Sequence, residues 1–562
     1  MFEMATSRRL LVLFTAFFVS VTVAASFSAT DSDGGSSSDG SSSSSDGAIG
    51  RLGIPVPGRR NTTGPMITDL NACGPSDLPA HALPPFDCCP PPSSVPPINF
   101  TFPDPSEPLR VRRRMHALSP ELLANFTRAV ALMKALNKSD PRSFYQQANI
   151  HCAYCTGAYR QAGHPELNIQ VHNTWFFQPL HRAYLYYYER ILGKLLGDPS
   201  FGLPFWNWDA PDGMPMPSAF ADPGAVLFDP LRNPAHAPPR LLDMHFAGAD
   251  AANRSAREQA ELNLRTMYRQ LVTNAARPSL FHGQPYRPGD KPNPGAGSLE
   301  IYPHNHVHYW CGDLRRKNFE DMGVYYSAGR DPILYPHHSN VDRMWEVWRA
   351  LDPDRHVDFA DPDWLDSSFL FYDEEARLVR VTVRDMLDIS KLRYAYENVH
   401  LQWVNAKPPV TPGLRRQRRR RVLEAVRFPV TLNRRAVSAE VARPRVARSR
   451  LAKAVEEEVL VVDGIRFDGG EVVRFDVYIN APDEYHRVGL GGRELAGTYM
   501  SLKRVGHRGL NLKDGFETSM RLALNDLLED LDADADETIT VTMVPRQGKV
   551  HIGGLRIDYV LE

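Results

Sequence analysis

Tyr302-Pro303-His304-Asn305-His306-Val307-His308-Tyr309-Trp310 places three histidines within five positions. Proline has no amide hydrogen and a φ suited to a first helical turn, so Pro303 can open a helix here. His304 and His308 then lie one turn apart on a single face, and two imidazoles at that spacing converge on one ion. His306 leaves the opposite side and is expected to be structural. A zinc protease would need Glu directly after the first histidine, and position 305 is Asn. The third ligand has to come from elsewhere, and Asp331-Pro332-Ile333-Leu334-Tyr335-Pro336-His337-His338 begins another helix after a proline. Imidazole-only sites suit copper, zinc, iron or nickel, so ligand type alone does not choose the metal.

A second group, His151, His172 and His181, is spaced differently. Nine residues separate His172 from His181, which would put them on opposite faces of a shared helix. His172 is therefore expected in a loop and His181 at the start of an aromatic helix over 182–190. The cysteines are Cys73, Cys88, Cys89, Cys152, Cys155 and Cys311. Any four can pair in three ways. A bond between the neighbours Cys88 and Cys89 is geometrically unfavourable, and Cys152-x-x-Cys155 also has the spacing of a redox disulfide.

At 562 residues the chain exceeds one ordinary domain. Lys plus Arg at 65 against Asp plus Glu at 66 leaves a net charge of −1, so nothing global attracts nucleic acid or an anionic membrane. With 43% hydrophobic and 23% charged residues, wholesale disorder, coiled coil and collagen are excluded. Arg8 and Arg9 precede an apolar run from Leu10 to Ala25, so residues 1–27 read as an N-terminal signal or targeting segment. That run is short of the roughly 20 residues a spanning helix needs, and no stable membrane span is expected. Residues 28–68, rich in Ser, Asp and Gly, are expected to be disordered. Sequons at Asn61, Asn99, Asn125, Asn137 and Asn253 favour the secretory pathway, vacuole or extracellular. Ser7-Arg8-Arg9 also reads as a twin-arginine start, which makes the chloroplast thylakoid lumen the alternative. Both destinations are non-cytosolic.

Residues 69–405 are dense in aromatics and helical patterning, with Ser119-Pro120 as a strong helix start. Composition changes at about 406. Residues 406–456 read as a mobile Arg-rich linker, and the run Arg415-Arg416-Gln417-Arg418-Arg419-Arg420-Arg421 marks it for proteolytic cleavage. From 457 to 562 the period switches to two, with Ile539, Val541 and Met543 alternating with threonines, which predicts a C-terminal antiparallel β-sandwich.

Phe176-Phe177-Gln178-Pro179-Leu180-His181-Arg182-Ala183-Tyr184-Leu185 resembles the copper A segment of plant polyphenol oxidases, the catechol oxidase and tyrosinase family with a type 3 dinuclear copper site. Pro204-Phe205-Trp206-Asn207-Trp208-Asp209, the segment 303–310, and Ser327 through Arg343 are similar to the same family, as are Asp363-Trp364-Leu365, Tyr394-Ala395-Tyr396 and Arg474-Phe475-Asp476-Val477. The resemblance runs in order from about 70 to the end. It implies a mainly α catalytic domain at 69–405, a four-helix bundle holding two copper ions among long loops, with the sandwich as a shielding domain.

By that resemblance His151, His172 and His181 hold copper A, and His304, His308 and His338 hold copper B. It further implies disulfides Cys73–Cys89 and Cys88–Cys152, and a thioether between Cys155 and His172. Expected partners are small phenolic substrates, O2 and an activating protease, with no nucleic acid. The implied activity is oxidation of o-diphenols to o-quinones with O2 reduced to water, in a latent enzyme that also hydroxylates monophenols. In the family, a Glu four residues before the first copper B ligand and an Asn after it hold a water that takes the phenol's proton; here they are Glu300 and Asn305. Tyr325 stands where the family's aromatic gate is usually Phe, Tyr309 is bulky enough to crowd incoming rings, and Leu180 replaces a common Trp. Asn340 and Asp342 are candidates for orienting the ligands. A plug for the pocket is expected from residues 483–501. The alternatives are a specialised phenolic-metabolite hydroxylase on the same scaffold and a non-catalytic dioxygen-binding protein.

Overall fold

The computed structural model describes residues 64–249, 254–413, 425–481, 483, 485–503 and 516–561. The targeting segment, most of the Ser/Asp/Gly-rich stretch, the Arg415–Arg421 run and the sequons at Asn61 and Asn253 lie outside the described residues. Among the described residues no helix is long and apolar enough to cross a membrane.

Five helices carry or pack against the segments that bear the histidine groups. Helix α1 (Pro120–Ala135) starts as expected, with the Ser119 hydroxyl accepting from the Leu122 amide and Pro120 in the first turn. Helix α2 (Phe144–Cys155) is capped the same way by Ser143. Helix α3 (Phe177–Leu196) begins five residues before position 182 and ends on Gly197, whose φ of 72° is the left-handed cap that glycine adopts without strain. Helices α4 (Asn305–Cys311) and α5 (Leu334–Leu351) complete the set. Nearly every side chain of the first three turns of α3 is buried, charged ones included. Buried charges need partners, and here they form a clamp. Arg110 and Arg112 each reach Glu189 at 2.7 Å, while Arg182 and Arg112 hold Asp342 at 2.6 and 3.0 Å. The hydroxyls of Tyr394 and Tyr396 donate to the same Asp342. The clamp locks α3 against α5, which accounts for the Tyr-Ala-Tyr motif. Asp342 therefore serves the helix pair and not the ligands. Asn340 likewise donates to Asp209 rather than to an imidazole.

Disulfides Cys73–Cys89 and Cys88–Cys152 staple the Pro-rich N-terminal arm to α2. Residues 64–68, which composition assigns to the disordered segment, are instead built in: the Thr68 amide donates to the Ser368 carbonyl and that of Met66 to the Ser367 hydroxyl. Met66 and Thr68 are buried, so the apolar and backbone contacts of this short stretch outweigh its flexible neighbourhood.

The C-terminal domain is a two-sheet sandwich of strands β1 (Val430–Leu432), β2 (Val437–Ala442), β3 (Glu457–Phe467), β4 (Val473–Ile479), β5 (Leu495–Ser501), β6 (Phe516–Ala523), β7 (Thr538–Gln547), β8 (Val550–Ile552) and β9 (Gly554–Val560). One sheet runs β6-β3-β8-β1, with β9 also on β3; the other runs β5-β4-β7-β2. The domain therefore starts near 430, not 457, and the expected linker is shorter than composition suggests. Two strands come from the Arg-rich stretch because its basic residues are turned outward or paired. Ala439 and Val441 point inward while Glu440 and Ala442 stay exposed, and buried Arg443 meets Glu458 at 2.8 Å.

Candidate metal centre

Each imidazole is delivered by a different device. His151 sits near the end of α2, and His181 lies one turn into α3. His172 lies in a turn, as its spacing from His181 requires. That loop is held from two sides, because the Trp175 amide donates to the Gln284 carbonyl and the Trp364 indole donates to the Trp175 carbonyl. This is the work of the Asp-Trp-Leu motif. On the other side, Tyr302 is extended (φ −170°, ψ 123°) and breaks the helical path, so that His304 and His308 start a fresh turn at Pro303. His338 comes from the first turns of α5.

Two groups result. Donor atoms of His151, Cys155, His172 and His181 lie within 4.8 Å of one another, and so do those of His304, His308, His337 and His338. The groups face each other ring to ring, His181 stacking on His338 at 4.4 Å and His172 on His304 at 5.7 Å.

Hydrogen bonds assign the tautomers. A carbonyl oxygen can only accept, so a ring nitrogen facing one carries the proton. The Nδ1 of His151 donates to the Tyr325 carbonyl at 2.8 Å, that of His181 to Phe177 at 2.7 Å, and that of His308 to Met322 at 2.8 Å. His304 Nδ1 donates to Asn305 Oδ1 at 3.1 Å. Their Nε2 atoms face inward, those of His151, His181 and His304 without a hydrogen-bond partner, and His308 Nε2 lies 3.3 Å from His338 Nε2. Burial holds these rings neutral, pushing His151 down to about 4, and His181 and His308 to about 3. Buried, neutral, inward-facing nitrogens are the donor set a metal needs, with backbone carbonyls doing the orienting expected of Asn340 and Asp342.

His337 belongs to the second group geometrically, a point spacing alone could not show. Its Nδ1 accepts from the Trp208 indole at 3.1 Å, so in the neutral ring Nε2 carries the proton and has no lone pair to give. That leaves His338. The only sequence signal was the Trp-Asn-Trp segment, with no hint of where its indole points.

The remaining candidates either lie against the two groups or turn away from them. Glu300 is buried and accepts the Asn173 amide at 2.6 Å. The Tyr325 ring lies 4.2 Å from that of His172, and its hydroxyl donates to Asn305 Oδ1 at 2.8 Å. Tyr309 is turned toward the sandwich, where its hydroxyl meets Gln547 at 2.9 Å. His306 bonds the Asp243 carbonyl at 2.7 Å, away from the 304/308 face. Cys311 is a buried thiol whose pKa burial pushes up.

The β5–β4 sheet covers the centre. Asn305 Nδ2 donates to the Met500 carbonyl at 3.0 Å, and Met500 Sδ lies 3.3 Å from His306. Leu502, just past the end of β5, is also fully buried. Arg474 of the Arg-Phe-Asp-Val motif donates to the carbonyls of His245 and Phe246 at 2.8 and 2.7 Å. The motif is thus the clasp between the domains.

Three family models match in sequence: the common central domain of tyrosinase over residues 141–351, the polyphenol oxidase middle domain over 358–409 and the chloroplastic polyphenol oxidase C-terminal domain over 428–559. A chloroplastic polyphenol oxidase of Malus domestica is 47% identical over 87% of this chain and 84% of its own length. Aureusidin synthase of Antirrhinum majus is 46% identical over 88% and 90%. The structure of latent apple tyrosinase superposes with a TM-score of 0.76 at 46% identity, covering 83% of this chain and all of that one. With two facing histidine groups that fit a pair of copper ions, the chain belongs to the plant polyphenol oxidases, oxidoreductases of the type 3 copper family.

Proposed function

We propose that this enzyme oxidises o-diphenols to o-quinones with O2 reduced to water, and that it also hydroxylates monophenols. Each diphenol gives up two electrons and two protons, so two diphenols reduce one O2 to two waters. The observation behind the reading is the set of neutral, inward-facing imidazoles with their Nδ1 atoms fixed by carbonyls. His151, His172 and His181 would hold copper A, and His304, His308 and His338 copper B. Copper bound there supplies the exchange of electrons with dioxygen. A thioether between Cys155 and His172 would fix the one ligand that comes from a loop.

A monophenol must first lose a proton held with a pKa near 10. Glu300 and Asn305 would hold the water that receives it. The Tyr325 ring, tilted over His172, would gate the pocket. The sandwich would keep the enzyme latent until a protease cuts the chain within the Arg-rich stretch expected over 406–456. Similarity to aureusidin synthase supports a second reading, a specialised enzyme acting on one phenolic metabolite. The names of relatives such as the Malus enzyme favour a plastid destination, and nothing supports the vacuole or the exterior. Two disulfides also suit a non-cytosolic compartment.

Copper per chain and oxygen uptake with catechol and with tyramine, measured before and after limited proteolysis, test the reading. Two coppers and turnover that rises on cleavage are expected. Copper-loaded protein that consumes no oxygen with either phenol, cut or uncut, would overturn it.

A further inference from the structure

Asn305 has two lone pairs on Oδ1 and two hydrogens on Nδ2. One hydrogen goes to the Met500 carbonyl, which settles which end of the amide faces the sandwich. Both lone pairs are then spoken for, one by His304 Nδ1 at 3.1 Å and the other by the Tyr325 hydroxyl at 2.8 Å. The residue is 1% exposed and Tyr325 2%, so bulk water does not compete for these positions. A water acts as a base only when its own hydrogens are held by acceptors, leaving a lone pair aimed at the phenol. With Oδ1 saturated, such a water keeps Glu300 as an anchor and loses Asn305.

We propose that the Tyr325 hydroxyl is a specificity-determining group that restrains monophenol hydroxylation by occupying the Asn305 oxygen. The inference rests on the reading that Glu300 and Asn305 prepare monophenols. Tyr325 is fixed for this task by two contacts to the first histidine group: its carbonyl accepts His151 Nδ1 at 2.8 Å, and its ring lies against His172. Phenylalanine would keep the ring and the carbonyl and release the oxygen. Diphenols, whose hydroxyls are more acidic and which need no oxygen inserted, depend less on the water. The ratio of the two activities is therefore the quantity that moves.

The test uses the copper-loaded full-length chain, before and after limited proteolysis, with tyramine and dopamine as the matched pair. Tyr325→Phe is expected to raise the tyramine-to-dopamine ratio of kcat/KM about fivefold, the effect of one hydrogen bond. In Tyr325→Phe/Asn305→Gly the gain should vanish. A second readout avoids turnover. In the zinc-loaded, proteolysed chain, the pH midpoint at which bound 4-nitrophenol becomes phenolate, followed by absorbance, should fall by roughly 0.7 unit in Tyr325→Phe. An unchanged ratio and midpoint would overturn the proposal. So would a gain that survives Asn305→Gly, which would mean only a wider pocket. Glu300→Gln separates the two levels. If it lowers the ratio while Tyr325→Phe does nothing, only this inference fails. If Glu300→Gln leaves the ratio alone, the reading beneath it fails too.

Discussion

The metal centre and the seam beneath the sandwich are both buried and both polar, yet they are assembled in opposite ways. Around the metals, the orienting groups are carbonyls of the catalytic domain itself: Tyr325, Phe177 and Met322. At the seam every contact crosses between domains. Arg474 reaches His245 and Phe246, Arg269 reaches the Gly492 carbonyl at 3.2 Å, Arg493 reaches the Thr273 hydroxyl at 3.0 Å, and Asn274 reaches the Ala496 carbonyl at 2.9 Å. Removing the sandwich leaves the first set intact and returns the second to water, where charged and carbonyl groups are readily solvated. Ligand geometry is thus set mostly within one domain, with Asn305, which holds His304 and is itself tied to Met500, as the link, while the proposed latency would belong to an interface that can open without removing those carbonyls.

The comparison breaks most sharply at a proposed ligand. His308→Ala removes an inward Nε2 and nothing at the seam. Groups that merely orient ligands are worth ten- to hundredfold, so deleting one outright should lower turnover by roughly a thousandfold. Metal analysis should show loss at one of two sites while the proteolysis pattern stays that of the wild type. A variant that releases the sandwich as well would show the two regions to be coupled.

Arg474→Met is the converse. It leaves the His245 and Phe246 carbonyls without their donor, and charged hydrogen bonds are worth about 1.5–3 kcal/mol. The full-length enzyme should gain about tenfold in activity or more, with copper content and the activity of the cleaved form unchanged. Oxygen uptake of cut and uncut protein checks both arms.

Acidity should act on the seam through His245. Burial first, then Arg474, Arg269, His306 and Arg254, hold its pKa well below the ordinary value. The acid beside it, Asp243, is 4.0 Å away, and Thr266 supplies a neutral partner at 3.1 Å. The docked state keeps the ring neutral, whereas a released one takes a proton below about 6.5. Docking is therefore at full strength above that pH and weakens as pH falls. The ratio of full-length to cleaved activity should rise from about pH 7 to about pH 4, and His245→Gln should flatten it. A ratio that rises equally in His245→Gln would assign the effect to other groups.

What was legible in the sequence follows the same division. The local placement of the histidines could be read because helical spacing and loop constraints act over a few residues, His304 with His308 and His172 against His181, whereas their grouping into two ligand sets came from the family resemblance. The strands from 457 onward could be read from alternation. The seam could not, because its pairs join residues more than 170 positions apart, as Asn305 does with Met500, and no local pattern encodes such contacts. Arg443 illustrates the difficulty: it adds to the basic composition of an apparent linker, yet it is buried on Glu458. His337 and His338 are neighbours of one residue type, and contacts far along the chain, Trp208 on His337 and His308 against His338, distinguish their chemistry.

The smallest test concerns Tyr309, which bulk alone would place across the substrate's path. Its hydroxyl instead holds Gln547 of β7, and its ring packs 5.5 Å from Phe246. Tyr309→Phe keeps the ring. Because Gln547 lies partly exposed, water can replace the lost donor, so the effect belongs at the low end for a hydrogen bond, about 0.5–1 kcal/mol. Full-length activity should rise about two- to fivefold, and the KM of the cleaved form for diphenols should stay put. A changed KM there would return Tyr309 to the substrate's path. Phe246 is shared, since its carbonyl binds Arg474 and its ring supports Tyr309. Tyr309→Phe and Arg474→Met should therefore combine non-additively. If the double variant gains no more than Arg474→Met alone, the sandwich leaves as one piece. If the gains multiply, the seam opens contact by contact.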